Sequence, residues 1–324
     1  MPSLQKVLVT GGAGFIGSNI VDRLVKEGYE VGVLDNLATG SISNISQLVS
    51  QKRVRFHNSD ISNFDEVSKI VKDYDAIIHE AALVSVTRSV ENPLLTNRVN
   101  VGGTINLLKA AVDSSVQTFV YASSSSVYGE TATLPKKEDM ITLPISPYGV
   151  SKLAAENYCK TFSKVYGLKT VSLRYFNVYG PRQKYGPYSG VIPIFIKKAI
   201  NNESPIINGD GEQTRDFTFV EDVVQANLLA LTVNVKPGEV YNIAKGSIIT
   251  INDLARTIID LAGKPGLRLV HGPDRPGDIK GSYADVSKAK NELSYKPEFE
   301  IRRGLQLVID WFLAGNQSEW ETAE

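Results

Sequence analysis

The chain's 324 residues are 42% hydrophobic and 22% charged, ordinary globular usage that excludes a disordered or collagen-like polymer. Thirty-five Lys and Arg balance 35 Asp and Glu, so there is no electrostatic footprint for nucleic acid or for an anionic membrane surface. A single cysteine, Cys159, excludes an intrachain disulfide, and the three scattered histidines, His57, His79 and His271, suggest no metal cluster. No apolar run approaches the ~20 residues of a membrane span. The stretch Met1–Lys6 lacks the regions of a signal peptide, so a cytoplasmic chain is expected.

In chain order, the apolar run Lys6–Thr10 reads as a strand. It enters Gly11-Gly12-Ala13-Gly14-Phe15-Ile16-Gly17, and a helix is predicted from about Ser18 to Glu27, with Ile20, Val21, Leu24 and Val25 on one face. Glu30–Leu34 is the next strand and ends at Asp35, a βαβ start. Further strands are predicted at Val54–His57, Ala76–His79, Thr118–Ala122 and Thr170–Leu173, with helices at Asp65–Lys72, Asn97–Val112 and Tyr148–Val165. The alternation predicts an α/β fold, a Rossmann-type doubly wound parallel sheet. After Arg174, prolines and glycines interrupt the pattern. Helices are predicted at Ile192–Asn201, Val220–Leu231, Ile251–Leu261 and Arg303–Phe312. A smaller α/β substrate-binding lobe is expected there. The first domain is read as 1–176 plus about 217–243, and the second lobe as about 177–216 plus 244–324.

A diphosphate needs close backbone approach and N–H donors aimed at its oxygens. Gly12-x-Gly14-x-x-Gly17 and Gly11-x-x-Gly14-x-x-Gly17 both fit dinucleotide spacings between a strand and a helix start. Asp35, at the end of the second strand, would accept from ribose hydroxyls and repel a 2′-phosphate, which selects NAD over NADP. Asp60 is read either as a contact to the adenine edge or as a helix N-cap.

Tyr148-Gly149-Val150-Ser151-Lys152 puts a phenol and an ammonium four apart on one helix face. The positive charge favours phenolate, pulling the tyrosine down from ~10 toward working pH and making a base for an alcohol proton. The strand Thr118–Ala122 runs into Ser123-Ser124-Ser125-Ser126-Val127-Tyr128-Gly129, which sets hydroxyls where such sheets bind ligands.

With these motifs, and with Arg174–Arg182, Asn208–Gly211, Thr214–Phe217 and Arg275–Asp278 in order, the chain resembles extended short-chain dehydrogenase/reductases over nearly its whole length. Within them it resembles UDP-sugar 4-epimerases of the UDP-glucose/UDP-N-acetylglucosamine type. The resemblance implies a redox-neutral cycle. Tyr148 takes the proton of the sugar 4-hydroxyl, Ser124 hydrogen-bonds that oxygen, and the C4 hydride passes to bound NAD. Lys152 holds the nicotinamide ribose, and hydride returns to the other face of the 4-keto sugar. The cofactor contacts it implies are Gly11, Gly14, Phe15, Ile16, Gly17, Asp35, Asn36, Gly40, Asp60, Ile61, Ala81, Ala82, Asn100, Tyr148, Lys152 and Tyr175.

For the substrate, the resemblance implies Ser85, Ser124, Ser125, Tyr148 and Val191. It further implies Asn177, Arg215 and Arg275 at the UDP diphosphate, Asn208 nearby, Asp278 at the uridine ribose, and Ser282 as a small residue at the hexose pocket. A homodimer through Asn97–Val112 and Tyr148–Val165 is the implied assembly. Nucleotide-sugar dehydratases and decarboxylases carry an acid where this chain has Ser125 and Ser126, which ranks them lower. Uronic-acid 4-epimerases share the serine-rich loop but tend to carry Thr at the position of Asn177. An NAD-binding regulatory protein is the non-enzymatic alternative.

Overall fold

The computed structural model describes residues 5–185, 190–274 and 280–315. Seven strands form its main sheet: β1 (Lys6–Thr10), β2 (Glu30–Asp35), β3 (Val54–Asn58), β4 (Ala76–His79), β5 (Thr118–Ser124), β6 (Lys169–Tyr175) and β7 (Glu239–Ile243). They lie in the order β7-β6-β5-β4-β1-β2-β3, and every pairing is parallel. The order reverses between β1 and β4, which opens a crevice at the carboxyl ends of those strands.

Apart from the edge strand β3, the strands are buried nearly throughout because both faces are covered. In β1, Val7 and Val9 point into one core cluster and Leu8 into the other, as the period of two requires. The first cluster packs Ile20, Val21 and Leu24 of α1 (Phe15–Lys26) with Val223 and Val224 of the helix Val220–Thr232. The second packs Val67 of α2 (Phe64–Val71), Leu107 and Leu108 of α3 (Gly103–Asp113) and Phe162 of α4 (Pro147–Tyr166). Each fully buried aliphatic side chain contributes about 1.5–3 kcal/mol. A further core, with Phe195, Ile207, Phe219, Leu254 and Leu305, sits under α5 (Val191–Ile200), α7 (Ile251–Leu261) and α8 (Ile301–Leu313), where α6 is the helix Val220–Thr232.

The structure differs from the sequence reading at several ends. Helix α1 begins at Phe15, not near Ser18, because Gly17 is helical and is glycine for another reason: a Cβ there would stand 2.2 Å from the Gly11 carbonyl oxygen. Strand β5 continues through Ser123 and Ser124, held by β6 alongside. The predicted helix Asn97–Val112 is divided into Pro93–Asn97, a π-turn at Arg98–Gly102, and α3. The helix Val86–Glu91 and strand β7 were not among the predicted elements.

A buried ion pair ties three strands to α4. Arg174 of β6 donates Nε to Glu156 Oε2 at 2.9 Å and Nη2 to Oε1 at 2.7 Å, with Glu156 fully buried and Arg174 2% exposed. Ser123 donates to the same carboxylate, Arg174 Nη1 donates to Tyr128 Oη, and Tyr128 donates to Asn242 of β7. Burial opposes the charge of Glu156, but the hydrogen bonds and charge of Arg174, with Lys160 and Ser123, outweigh it and hold the carboxyl below its usual range.

Arg174→Met should therefore destabilise the fold by about 3–5 kcal/mol, because it strands a buried carboxylate. Arg174→Met/Glu156→Leu should recover much of that loss. The gap between wild type and Arg174→Met should be full above the ordinary carboxyl value of ~4.3 and close as pH falls through the lowered folded value. Urea unfolding across pH measures all three; a single-variant loss no larger than the double's removes the ion pair from the account.

Candidate active site

At the cofactor end, Gly11 adopts φ +69°, and a Cβ there would lie 2.6 Å from the Ala81 nitrogen. The loop thus presses directly on the segment leaving β4. No side chain caps α1, whose N-cap is Gly14. Its first turn, with Phe15, Ile16 and Gly17, keeps N–H groups for an anion. Asp35 Oδ2 accepts from Ala13 N at 3.0 Å and Oδ1 from Leu37 N at 2.8 Å, which ties β2 to the glycine loop. Burial raises its carboxyl, against the two backbone donors and the nearby Lys184 charge. Gly40 lies against Ala13 and Asp35, where a Cβ would be within 3.1 Å of Asp35 Oδ1. Asn36 donates to Asp60 Oδ2 at 2.9 Å, and Ser62 N donates to Asp60 Oδ1 at 2.7 Å. Of the two roles considered for Asp60, helix N-cap goes to Asn63 instead, which accepts from Glu66 N. Ile61 packs on Gly103. The glycine loop, Asp35, Asn36, Gly40 and Asp60 are thus brought together at the carboxyl ends of β1 and β2.

Ala81 and Ala82 are half-buried beyond β4. Asn100, in the π-turn, accepts from Leu83 N at 2.8 Å and donates to Leu83 O and Ser151 Oγ, both at 3.0 Å. Its amide is spent on fastening this loop to α4. His79 bridges Thr10 and Thr104 at 2.7 and 2.9 Å, and burial, with the Lys152 charge, lowers it to about 3, so the ring is neutral.

The residues read as catalytic converge at the ends of β4, β5 and β6. Tyr148 opens α4, and its backbone N–H donates to Ser89 Oγ at 3.0 Å. Ser151 Oγ donates to Tyr148 O at 2.7 Å. The Ser124 hydroxyl lies close enough to the Tyr148 phenol to favour its ionised form; its Oγ donates to Ser126 Oγ and accepts from Ser126 N, both at 3.1 Å. Lys152 is 4% exposed and donates Nζ to Ala122 O at 2.8 Å.

One expectation is corrected here. Lys152 was expected to draw Tyr148 down; instead burial, opposed by Ser124 and reinforced by the Glu80 charge, pushes the phenol up to about 12. The ammonium is turned toward Ala122 O and stands 6.0 Å from the centre of the Tyr148 ring. Burial also brings Lys152 down to about 8, with Glu80 opposing.

Glu80 was not singled out from the sequence. Tyr175, the last residue of β6, donates Oη to Glu80 Oε1 at 2.6 Å and accepts from Asn227 Nδ2 at 2.8 Å. No local motif marks a contact between residues 95 positions apart.

In the second lobe, the pair Gly281–Ser282 runs parallel to Thr214–Arg215, with Ser282 beside Arg215. Asn177, at φ +33°, donates to Asp216 O and accepts from Thr218 N. Asp216 is buried and collects backbone donors from Lys245, Gly246 and Ala284; burial raises it to about 6 against those donors. Asn177, Arg215 and Ser282 are thus brought into one neighbourhood. Ser85 caps the helix Val86–Glu91 through Arg88 N, Ser125 is half-buried after β5, and Val191 opens α5. Asn208 is exposed on a strand paired with Val270–Gly272. Arg275 and Asp278 lie outside the described residues.

Three solved structures match with closely similar folds. A UDP-glucose 4-epimerase of Thermotoga maritima with UDP-glucose is 37% identical, covers 96% of this chain and 99% of its own, and superposes with a TM-score of 0.90. A UDP-N-acetylglucosamine 4-epimerase of Methanobrevibacter ruminantium in complex with UDP-N-acetylmuramic acid is 40% identical over 97% and 99%, at 0.91. A UDP-glucuronic acid 4-epimerase of Bacillus cereus with UDP-glucuronic acid and NAD is 34% identical over 96% and 99%, at 0.88. The sequence profile of the NAD dependent epimerase/dehydratase family matches residues 7–244. Glycine loop and profile agree: the chain belongs to the NAD dependent epimerase/dehydratase family, and its cofactor is NAD.

Proposed function

We propose that the chain is a UDP-sugar 4-epimerase, inverting C4 of UDP-glucose/UDP-galactose and of the N-acetylated pair through a transient 4-keto sugar. The observation that carries this is the convergence of the Ser124 hydroxyl and the Tyr148 phenol beside Lys152, with serines at 125 and 126 where dehydration would need an acid. Similarity to 4-epimerases of three UDP-sugars supports the class and leaves the sugar open.

One substrate hydroxyl can bond both Ser124 and Tyr148. Tyr148 takes its proton, and Ser124 keeps a hydrogen bond to the oxygen as it becomes a carbonyl. Lys152 has one N–H on Ala122 O and two left for a ribose. NAD, when bound, accepts the C4 hydride and gives it back, and its positive oxidised ring adds a charge that favours the Tyr148 phenolate. Gly11, Gly17, Asp35 and Gly40 would hold its adenosine diphosphate end.

A cytoplasmic homodimer is part of the proposal. Among the described residues no helix is long and apolar enough to cross a membrane. Val86, Val90 and Leu94 on the short helices before α3, and Val150 and Tyr158 on α4, leave apolar surface exposed on neighbouring elements.

Incubation with UDP-glucose, UDP-N-acetylglucosamine and UDP-glucuronate in parallel, with no added NAD, should give C4 epimers of the first two. Reduction of the bound NAD once per site with no epimer formed, and sustained NADH formation once NAD is added, identifies a dehydrogenase instead; conversion of UDP-glucuronate alone moves the reading to a uronic-acid epimerase.

Tyr148→Phe should lower kcat by about 10²–10⁴-fold, the scale of one positioned base, and should keep its bound NAD. Near wild-type turnover shows that another group is the base.

Ser282→Tyr tests sugar size. A phenol at that position would overlap an acetamido group, and overpacking costs about 1–3 kcal/mol. The expected result is a fall in kcat/KM for the N-acetylated pair with the other pair unchanged. Equal loss on both pairs, or none, removes Ser282 from selection; the alternation of side chains along the extended segment then turns attention to Tyr283.

A further inference from the structure

Glu80 has no role in the mechanism above, yet it is placed with care. It directly follows β4, half-buried, with its backbone N–H on Thr10 O at 3.1 Å. The Gly11 turn packs against its carbonyl carbon. Its carboxyl is fixed by Tyr175 from the end of β6, and Tyr175 is fixed in turn by Asn227 of α6. The Glu80–Tyr175 bond therefore crosses the end of β5 on the carboxyl edge of the sheet. That places the Glu80 backbone at the point where the strand order reverses and its carboxyl beside it, on the carboxyl edge of the sheet.

The ionisable groups within its electrostatic reach are Lys152 and Tyr148 from α4, Tyr121 from β5 and Tyr175 from β6. Lys152 is the cation among them. A carboxylate is an unfavourable neighbour for Tyr148, because it resists phenolate formation. Lys152 is one positive charge that gains from it, and an oxidised nicotinamide ring in the same space would be a second.

We propose that Glu80 is a positioning charge for the oxidised nicotinamide: its carboxylate, held by Tyr175, offsets the ring's positive charge and biases bound cofactor toward NAD over NADH. This inference rests on the reading of Ser124, Tyr148 and Lys152 as the redox site, since hydride exchange with a sugar carbon beside Tyr148 brings the ring into the same crevice. The ring carries a full positive charge when oxidised and none when reduced. A fixed anion thus lowers the free energy of one state alone. The consequence for the cycle is that hydride return is favoured, and a reduced cofactor with an escaped keto sugar becomes a rarer dead end. Burial holds the Glu80 carboxyl up at about 7, against the Tyr175 hydrogen bond and the Lys152 charge, and an added positive charge in the crevice draws it to the ionised form.

The test is a ratio, which separates charge from packing. Purified full-length protein is equilibrated with mixtures of NAD and NADH at mildly alkaline pH, and the bound fraction of NADH is read from its fluorescence. Glu80→Gln keeps an acceptor for Tyr175 and removes the charge. It should shift the preference toward NADH by on the order of tenfold or more. The same comparison in a Lys152→Met background, where the ammonium cannot compensate by losing its proton, should show a shift in the same direction. An unchanged ratio in both backgrounds, or equal weakening of both cofactor forms, overturns the role of Glu80 and leaves the epimerase reading intact. Failure of the wild-type chain to hold either form overturns the redox-site reading and this inference with it.

Discussion

An ammonium in a nearly dry crevice is the constraint around which the working edge of this molecule is arranged. Lys152 is 4% exposed, and a charge so placed needs partners for its donors and a countercharge within reach. The Ala122 carbonyl, near the end of β5, supplies the first at 2.8 Å. The ring of Tyr121 lies 5.2 Å away and adds a π-face. Glu80 supplies the countercharge. The start of α4 has little freedom as a result. Ser89 holds the Tyr148 nitrogen, Ser146 caps the helix through Gly149 N, and Asn100 reaches Ser151.

The same helix face carries a second buried charge one turn on. Tyr148, Lys152 and Glu156 stand at i, i+4 and i+8, so phenol, ammonium and carboxylate form one stripe pressed on β5 and β6. Each ion meets its own partner. Glu156 takes the fork of Arg174, and the Tyr128–Asn242 link carries that network to β7. The seat of α4 is thereby coupled to β7.

The architecture was legible from short-range pattern. Apolar runs gave β1 to β6, and helical spacing gave α1, α2, α4 and α7 to within a few residues, because burial leaves a plain signature. Ser124, Tyr148 and Lys152 stood out because helix spacing and a strand end are local features. Long-range contacts were not legible. Nothing near Glu80 announces Tyr175, and nothing near Glu156 announces Arg174. The division of Asn97–Val112 had a local trace in Gly102-Gly103, but its cause is Asn100, whose amide bonds to Leu83 and Ser151 from elsewhere in the chain. The sign of the Tyr148 shift was misjudged for a related reason. Spacing reveals that an ammonium is near, but not that it points at a carbonyl, nor how much water has been removed.

That misjudged sign bears on how the site works. In the chain by itself the phenol lies at about 12 and the ammonium at about 8, so near neutral pH Tyr148 keeps its proton. Burial moves both groups toward their uncharged forms. An increment of positive charge in the same dry space reverses the balance for the phenol, and low effective dielectric makes that increment large. Such charge enters with an oxidised cofactor and is absent from a reduced one. In the proposed cycle, the strength of Tyr148 as a base would follow the redox state of the cofactor. It rises when a hydroxyl is to be oxidised. It falls when hydride has been taken up and the proton must go back. A base fixed permanently near neutrality would lack this link. In the proposed cycle, burial at the end of three strands, which raises the phenol in the bare chain, would thus couple proton transfer to hydride transfer.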